Sequence, residues 1–196
     1  MKRKTRISGA YPRKLYRFFE HESYADEFVN GRFRIRHQMR YTDASFAHRA
    51  DASEGVSSYF HDGLEHQNSF TNQIFLLCCS LENANLPKLK KKFGNWVVVI
   101  HNPVELAIDL DQYLNGNGSK PGVQIFGAPV DYTKGLSARR KAEQQRLVEL
   151  ALTQKPPRYK EEREFRYCLV DMRHQSPSEF ISIDFGFRIS HADILK

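Results

Sequence analysis

The sequence predicts a mixed α+β fold in one domain, and three observations predict it. Strand-like runs, about seven of them, are interleaved with about three helical stretches, which is too strand-rich for a doubly wound parallel sheet. Two runs, IFLLCCSL over 74–81 and NWVVVIH over 95–101, are continuously apolar, as strands covered on both faces are. The 196 residues, 40% hydrophobic and 27% charged, suffice for one core without disulfide or metal support.

KLYRFFEH (14–21) reads as a short apolar and aromatic strand with Arg17 embedded in it. ESYADEFVNG follows as a helix, with Ser23 as its cap, Tyr24 and Phe28 on one face and Gly31 closing it. RFRIRHQMRY (32–41) alternates, turning Phe33 and Ile35 inward and Arg32, Arg34 and Arg36 outward. Residues 42–73 are polar and announce no element. After the two apolar strands, NPVELAIDLDQYLNG carries a helix start in Asn102, Pro103 and Glu105 and a stop in Gly116. VQIFGAPVDYT (123–133) reads as a strand pair or a bent strand broken by Gly127 and Pro129. LSARRKAEQQRLVELALTQ is the longest helical stretch, stopped by Pro156 and Pro157. FRYCLV and then EFISIDFGFRIS (179–190) supply the last strands.

Thirty basic against twenty-three acidic residues give a net charge of +7. Residues 1–14 supply six of those positive charges and no acid, which predicts a flexible basic arm on a nearly neutral body, residues 15–196. Such an arm suits nucleic acid, since cations that meet phosphates release condensed counterions. No run of about 18 apolar residues occurs, so no membrane span is expected, and the N-terminus lacks the apolar stretch of a secretory signal. Cys78, Cys79 and Cys168 are odd in number, and Cys78 and Cys79 are adjacent, so they read as buried thiols in a reducing cytoplasm. His61 and His66 in HDGLEH sit in loop-like surroundings without a second ligand pair, and no metal site is expected.

Three places carry chemistry. Arg17 stands in an apolar strand, where an unpaired charge costs several kcal/mol and calls for an anion. Ser80 ends a core strand. Glu162 and Glu164 open another strand, spaced so that both carboxylates face one way, an arrangement a sheet avoids unless a cation lies between them. Each also has a plain structural reading, as an ion pair or filler.

In this order the three resemble the Arg–Ser–Glu class of ADP-ribosyltransferases. Leu15–Arg17, the segment from Tyr41 to Gly55 and the run from Glu162 to Arg166 are also similar to a widespread group of bacterial proteins related in fold to those enzymes and to toxins among them. Where the class carries a Ser-Thr-Ser-like segment this chain has CCSL, so only Ser80 maps onto it. The resemblance implies a mixed, mostly antiparallel split sheet and NAD as substrate. It implies that Glu164 stabilises the oxocarbenium-like ribose and grips its 2′-hydroxyl, with Glu162 as general base. Arg17 would hold a phosphate or the ribose, and Ser80 would fix Glu164 or the ribose. Tyr41 would stack on nicotinamide, and Arg49 would contact the dinucleotide or the target. The expected activity is mono-ADP-ribosyl transfer to a nucleic acid, RNA above all, by a toxin of a toxin–antitoxin or phage-defence system held by an antitoxin. A protein side chain as acceptor, or a nucleic-acid-binding module without catalysis, are the alternatives.

Overall fold

The computed structural model describes residues 7–38, 56–61, 64–69, 73–116, 122–132, 152–172 and 179–195, with the backbone alone for 56–61 and 64–69. In chain order these form β1 (Ile7–Gly9), β2 (Leu15–Phe19), α1 (Glu22–Val29), β3 (Arg32–His37), β4 (Val56–His61), β5 (Leu64–Ser69) and β6 (Gln73–Leu81). There follow α2 (Leu86–Phe93), β7 (Trp96–Ile100), α3 (Pro103–Asn115) and β8 (Val123–Pro129). A 3-10 turn (Pro157–Glu162), β9 (Glu164–Asp171), β10 (Phe180–Asp184) and β11 (Ala192–Ile194) complete the described chain.

Nine strands make one open sheet in the order β1-β8-β9-β6-β2-β7-β11, with β3 and β10 attached to β6 as a branch. Apart from the parallel pair β1–β8, its pairings are antiparallel, so the sheet is mixed and mostly antiparallel. The branch point positions the site. β6 pairs with β9 from Gln73–Asp171 to Ser80–Glu164. On its other edge it is shared: Leu81 and Ser80 pair with Leu15 and Tyr16 of β2, whereas Leu76 and Phe75 pair with Arg36 and His37 of β3. The sheet therefore opens beside Leu77, Cys78 and Cys79.

Alternation along β9 decides what lies on each face. Phe165, Tyr167 and Leu169 enter the large core with Phe28 of α1, Leu106 of α3, Phe75, Leu77 and Val98. Cys168 and Val170 pack on the reverse face with Ile74, Leu76 and Leu152. Each large side chain so buried contributes roughly 1.5–3 kcal/mol, and all eight residues of β9 are buried. A charge that enters this strand does so at a cost, and Glu164 and Arg166 both do.

Several expectations need correction. The arm is docked from Ile7 onward: β1 pairs with Ile125–Gly127, and the Tyr11 ring lies 5.6 Å from Phe165 and 5.9 Å from Tyr167. Three-residue β1 was hidden by the charges around it. Helix α1 is capped by His21, without a side-chain hydrogen bond, and not by Ser23; Tyr24 is 54% exposed, while Ala25, Phe28 and Val29 are buried. The polar stretch 42–73 contains the hairpin β4–β5, which holds His61 and His66 in strands and not in loops. Segment 179–190 ends as a strand at Asp184, and β11 follows as a separate strand against β7. The expected helix over 136–154 lies almost wholly outside the described residues.

Gly127 does not break β8, which runs through it. A Cβ there would meet the Tyr11 ring at 2.5 Å and Phe165 at 2.8 Å, so this glycine makes room for the docked N-terminal segment. Gly127→Ala is expected to cost about 1–3 kcal/mol through overpacking, read as a lowered midpoint in urea unfolding. Among the described residues no helix is long and apolar enough to cross a membrane.

Candidate active site at the sheet's branch point

Cross-strand partners share a face, so the pairings Tyr16–Ser80 and Ser80–Glu164 set three side chains in one row across β2, β6 and β9. That row borders a cleft whose other walls include Phe18, Cys78, Phe93, Lys155 and Glu162. Its recess measures about 80 Å3, room for several waters. A ligand the size of a dinucleotide would lie across the mouth.

Glu162 reaches this face by a route unlike the expected strand alternation. It ends the 3-10 turn started by Pro156–Pro157, and Arg163, in the left-handed region at φ 45°, swings the chain into β9. Glu162 and Glu164 nonetheless converge, because Lys155 stands between them. Its Nζ donates to Glu162 Oε2 at 2.9 Å and lies 2.6 Å from Glu164 Oε2, an ion pair out of line for a hydrogen bond. Lys92, in the last turn of α2, donates to Glu162 Oε1 at 2.6 Å. Arg166, almost fully buried, donates from Nε to Glu164 Oε1 at 2.7 Å and from Nη1 to the Leu152 carbonyl at 2.5 Å. Each of the four carboxylate oxygens thus has a resident cation, and two acids face three bases.

The backbone around Glu164 is fixed. Its N–H donates to Tyr132 Oη at 2.7 Å, and its carbonyl accepts from the Val130 N–H at 2.9 Å. Lys155 is fixed as firmly: its N–H donates to the Asp131 carbonyl, whose own N–H donates to Thr153. Burial would push the Glu164 carboxyl up, but Arg166 and Lys155 outweigh it and hold it well below the usual carboxylate range. Burial and Arg166 pull the Lys155 ammonium down, but Glu164 and then Glu162 raise it above an ordinary lysine. Burial raises the Cys78 thiol far above its usual range, Glu164 adds to this, and the thiol stays protonated and bonds that carboxylate.

Arg17 borders the same opening from the other face. It alternates with Leu15 and Phe19 and pairs with Val98, all on the side of the large core, and its guanidinium carbon lies 5.3 Å from the Phe19 ring centre. Nη1 crosses the gap to donate to the Cys78 carbonyl at 2.7 Å, and Nε is buried without a hydrogen-bond partner. Burial, opposed by Arg17, leaves Cys79 beside it pushed up to about 11. Tyr41 and Arg49 lie outside the described residues. Four of the six sequence-predicted residues, Arg17, Ser80, Glu162 and Glu164, therefore border one cleft, with Arg17 on the side of the large core and the other three on the cleft side.

Comparison of the chain with family models, with curated proteins and with solved structures finds no match. The chemistry open to the site rests on its own groups.

Sequence reasoning missed Lys155, Lys92, Arg166 and Tyr132. Arg166 carried a signal, a cation inside a strand whose neighbours are apolar, the same signal that singled out Arg17. Lys155 carried none beyond its place before two prolines. As arranged, the carboxylates are ionised and poised for cationic charge, and the lysine already supplies it. The cleft can receive a group that takes over the Lys155 position, or an anion drawn by the excess of base over acid.

Proposed function

We propose that this chain is a mono-ADP-ribosyltransferase that consumes NAD at the branch-point cleft and modifies a nucleic-acid acceptor, RNA first, as a toxin restrained by an inhibitory partner. The observation that carries the reading is the row Tyr16–Ser80–Glu164, with Glu162 drawn beside it through Lys155 and Arg17 bordering the same gap. The ribose–nicotinamide bond breaks with its electron pair leaving on nicotinamide, and Glu164 answers the positive charge left on the ribose. Glu162 takes the proton of the acceptor hydroxyl or amine as that atom bonds the ribose carbon. Lys155 occupies the place of that positive charge, so NAD enters as the lysine withdraws along its flexible stem. The basic N-terminal residues and the net charge of +7 support a polyanionic acceptor.

The test is incubation with labelled NAD and separated RNA, DNA and protein, recording which fraction takes up label. Alongside it, NAD at a hundredfold its dissociation constant adds about 2.7 kcal/mol, a rise in melting temperature of roughly 5–11 °C for a chain of this size. No labelled fraction and no thermal shift would overturn the reading.

The occupancy of all four carboxylate oxygens favours a second reading, a nucleic-acid-binding module without catalysis. In it Glu162 and Glu164 serve to hold Lys92, Lys155 and Arg166, and the net positive cleft takes a phosphate. Steeply salt-dependent RNA binding with no response to NAD selects it.

A further inference from the structure

The arginines of β3 take no part in that chemistry. Arg32, Arg34 and Arg36 are exposed and alternate with Phe33 and Ile35, which turn inward. Their cross-strand neighbours on β10 are Asp184, Ser182 and Phe180, also exposed. The Arg34 guanidinium carbon lies 4.6 Å from the centre of the Phe180 ring. Arg36 pairs with Leu76, which shares its face of β6 with Cys78 and Ser80. This exposed ribbon face is thus on the same side of the sheet as the cleft, across the branch from β2.

We infer that the outer face of the β3–β10 ribbon seats a single-stranded nucleic acid that leads toward the cleft. The inference deepens the acceptor half of the proposed function, and it holds equally for the non-catalytic reading. Charge complementarity selects a polyanion: within the two strands, three arginines stand against one acid on this face, Asp184, opposite Arg32. An exposed aromatic ring beside an arginine selects a single strand. Phe180 with Arg34 supplies an aromatic and guanidinium surface on which an unstacked base can lie, a feature of single-strand binders that a duplex cannot use.

The experiment measures binding of a fluorescent RNA 12-mer, without NAD, as a function of salt. It uses the wild-type chain, Arg34→Gln/Arg36→Gln, Phe180→Ala, and a charge-matched control outside the two strands, Lys91→Gln/Arg188→Gln. All positions are solvent-exposed, and unchanged melting temperatures show that each variant folds. The arginine pair is expected to weaken binding and to make the slope of log affinity against log salt shallower by about 1.4, or about 0.7 for each phosphate that is no longer neutralised. Phe180→Ala is expected to weaken binding about tenfold with the slope kept, as removal of base stacking does. An equal weakening in the control pair, a duplex of the same sequence bound as tightly as the single strand, or an arginine pair that binds like wild type would each overturn the inference. Because no NAD is present, failure here leaves the catalytic reading standing, and failure of NAD turnover leaves this one standing.

Discussion

Glu164→Gln abolishes release of nicotinamide from NAD, with a loss of at least about 10²–10³-fold, the size found when a preorganised electrostatic partner of a transition state is removed. The substitution keeps the shape of the side chain, and its amide oxygen can still accept from Arg166 Nε, which now donates to Oε1 at 2.7 Å. What it removes is the negative charge, held in the ionised form at every pH of interest by Arg166 and Lys155 against the cost of burial. Nicotinamide is measured by chromatography at saturating NAD, and circular dichroism establishes that the variant is folded. Wild-type turnover in a folded Glu164→Gln protein would remove Glu164 from the chemistry.

The second large effect falls on stability. Lys155→Met keeps the length of the stem but withdraws the cation shared by two buried carboxylates. Breaking a buried ion pair from one side costs about 3–5 kcal/mol, a fall in melting temperature of roughly 6–20 °C for a chain of this size. The pH dependence has a definite sign. Glu164 is depressed in the folded chain, so its contribution is complete above the unfolded value of about 4.3 and is lost as pH falls through the depressed one. Lys155 is raised, so its contribution is complete below about 10.4 and is lost as pH rises through the raised value. The wild-type cluster is therefore intact across neutral pH, where the deficit of Lys155→Met is largest, and the deficit narrows in acid as the wild type loses the Glu164 contribution. Melting curves of both proteins from acid to neutral pH measure this; coincident curves would show that the lysine carries no weight.

How much of this was legible depends on range. β6 was legible because eight successive residues, 74–81, run apolar apart from Ser80, and α3 because Asn102 and Pro103 mark its start, with the Asn102 side chain accepting from the Glu105 N–H. Helix α2 was missed, since LPKLKKKF shows a charge run and buries only Leu89. Its boundary signals were nevertheless present: Asn85 accepts from the Lys88 N–H at 3.1 Å, Pro87 sits in the first turn, and Gly94 ends it at φ 119°. The acidic doublet was legible as a pair needing a cation, but the cation comes from tertiary approach of Lys155 and Lys92. The left-handed Arg163 between the two acids breaks the two-residue period on which the strand reading relied.

The central place of β6 also sets an order of assembly. Its partner β2 is about 60 residues earlier in the chain and β9 about 90 later, so its hydrogen bonds close only across long loops, a topology that folds in milliseconds to seconds and not faster. During synthesis at about 5–20 residues per second, the apolar strand waits roughly 4–17 s after Leu81 before Glu164 is made. For that interval the edge that pairs with β9 lacks its partner, and an unpaired apolar strand edge is a template for pairing with another chain.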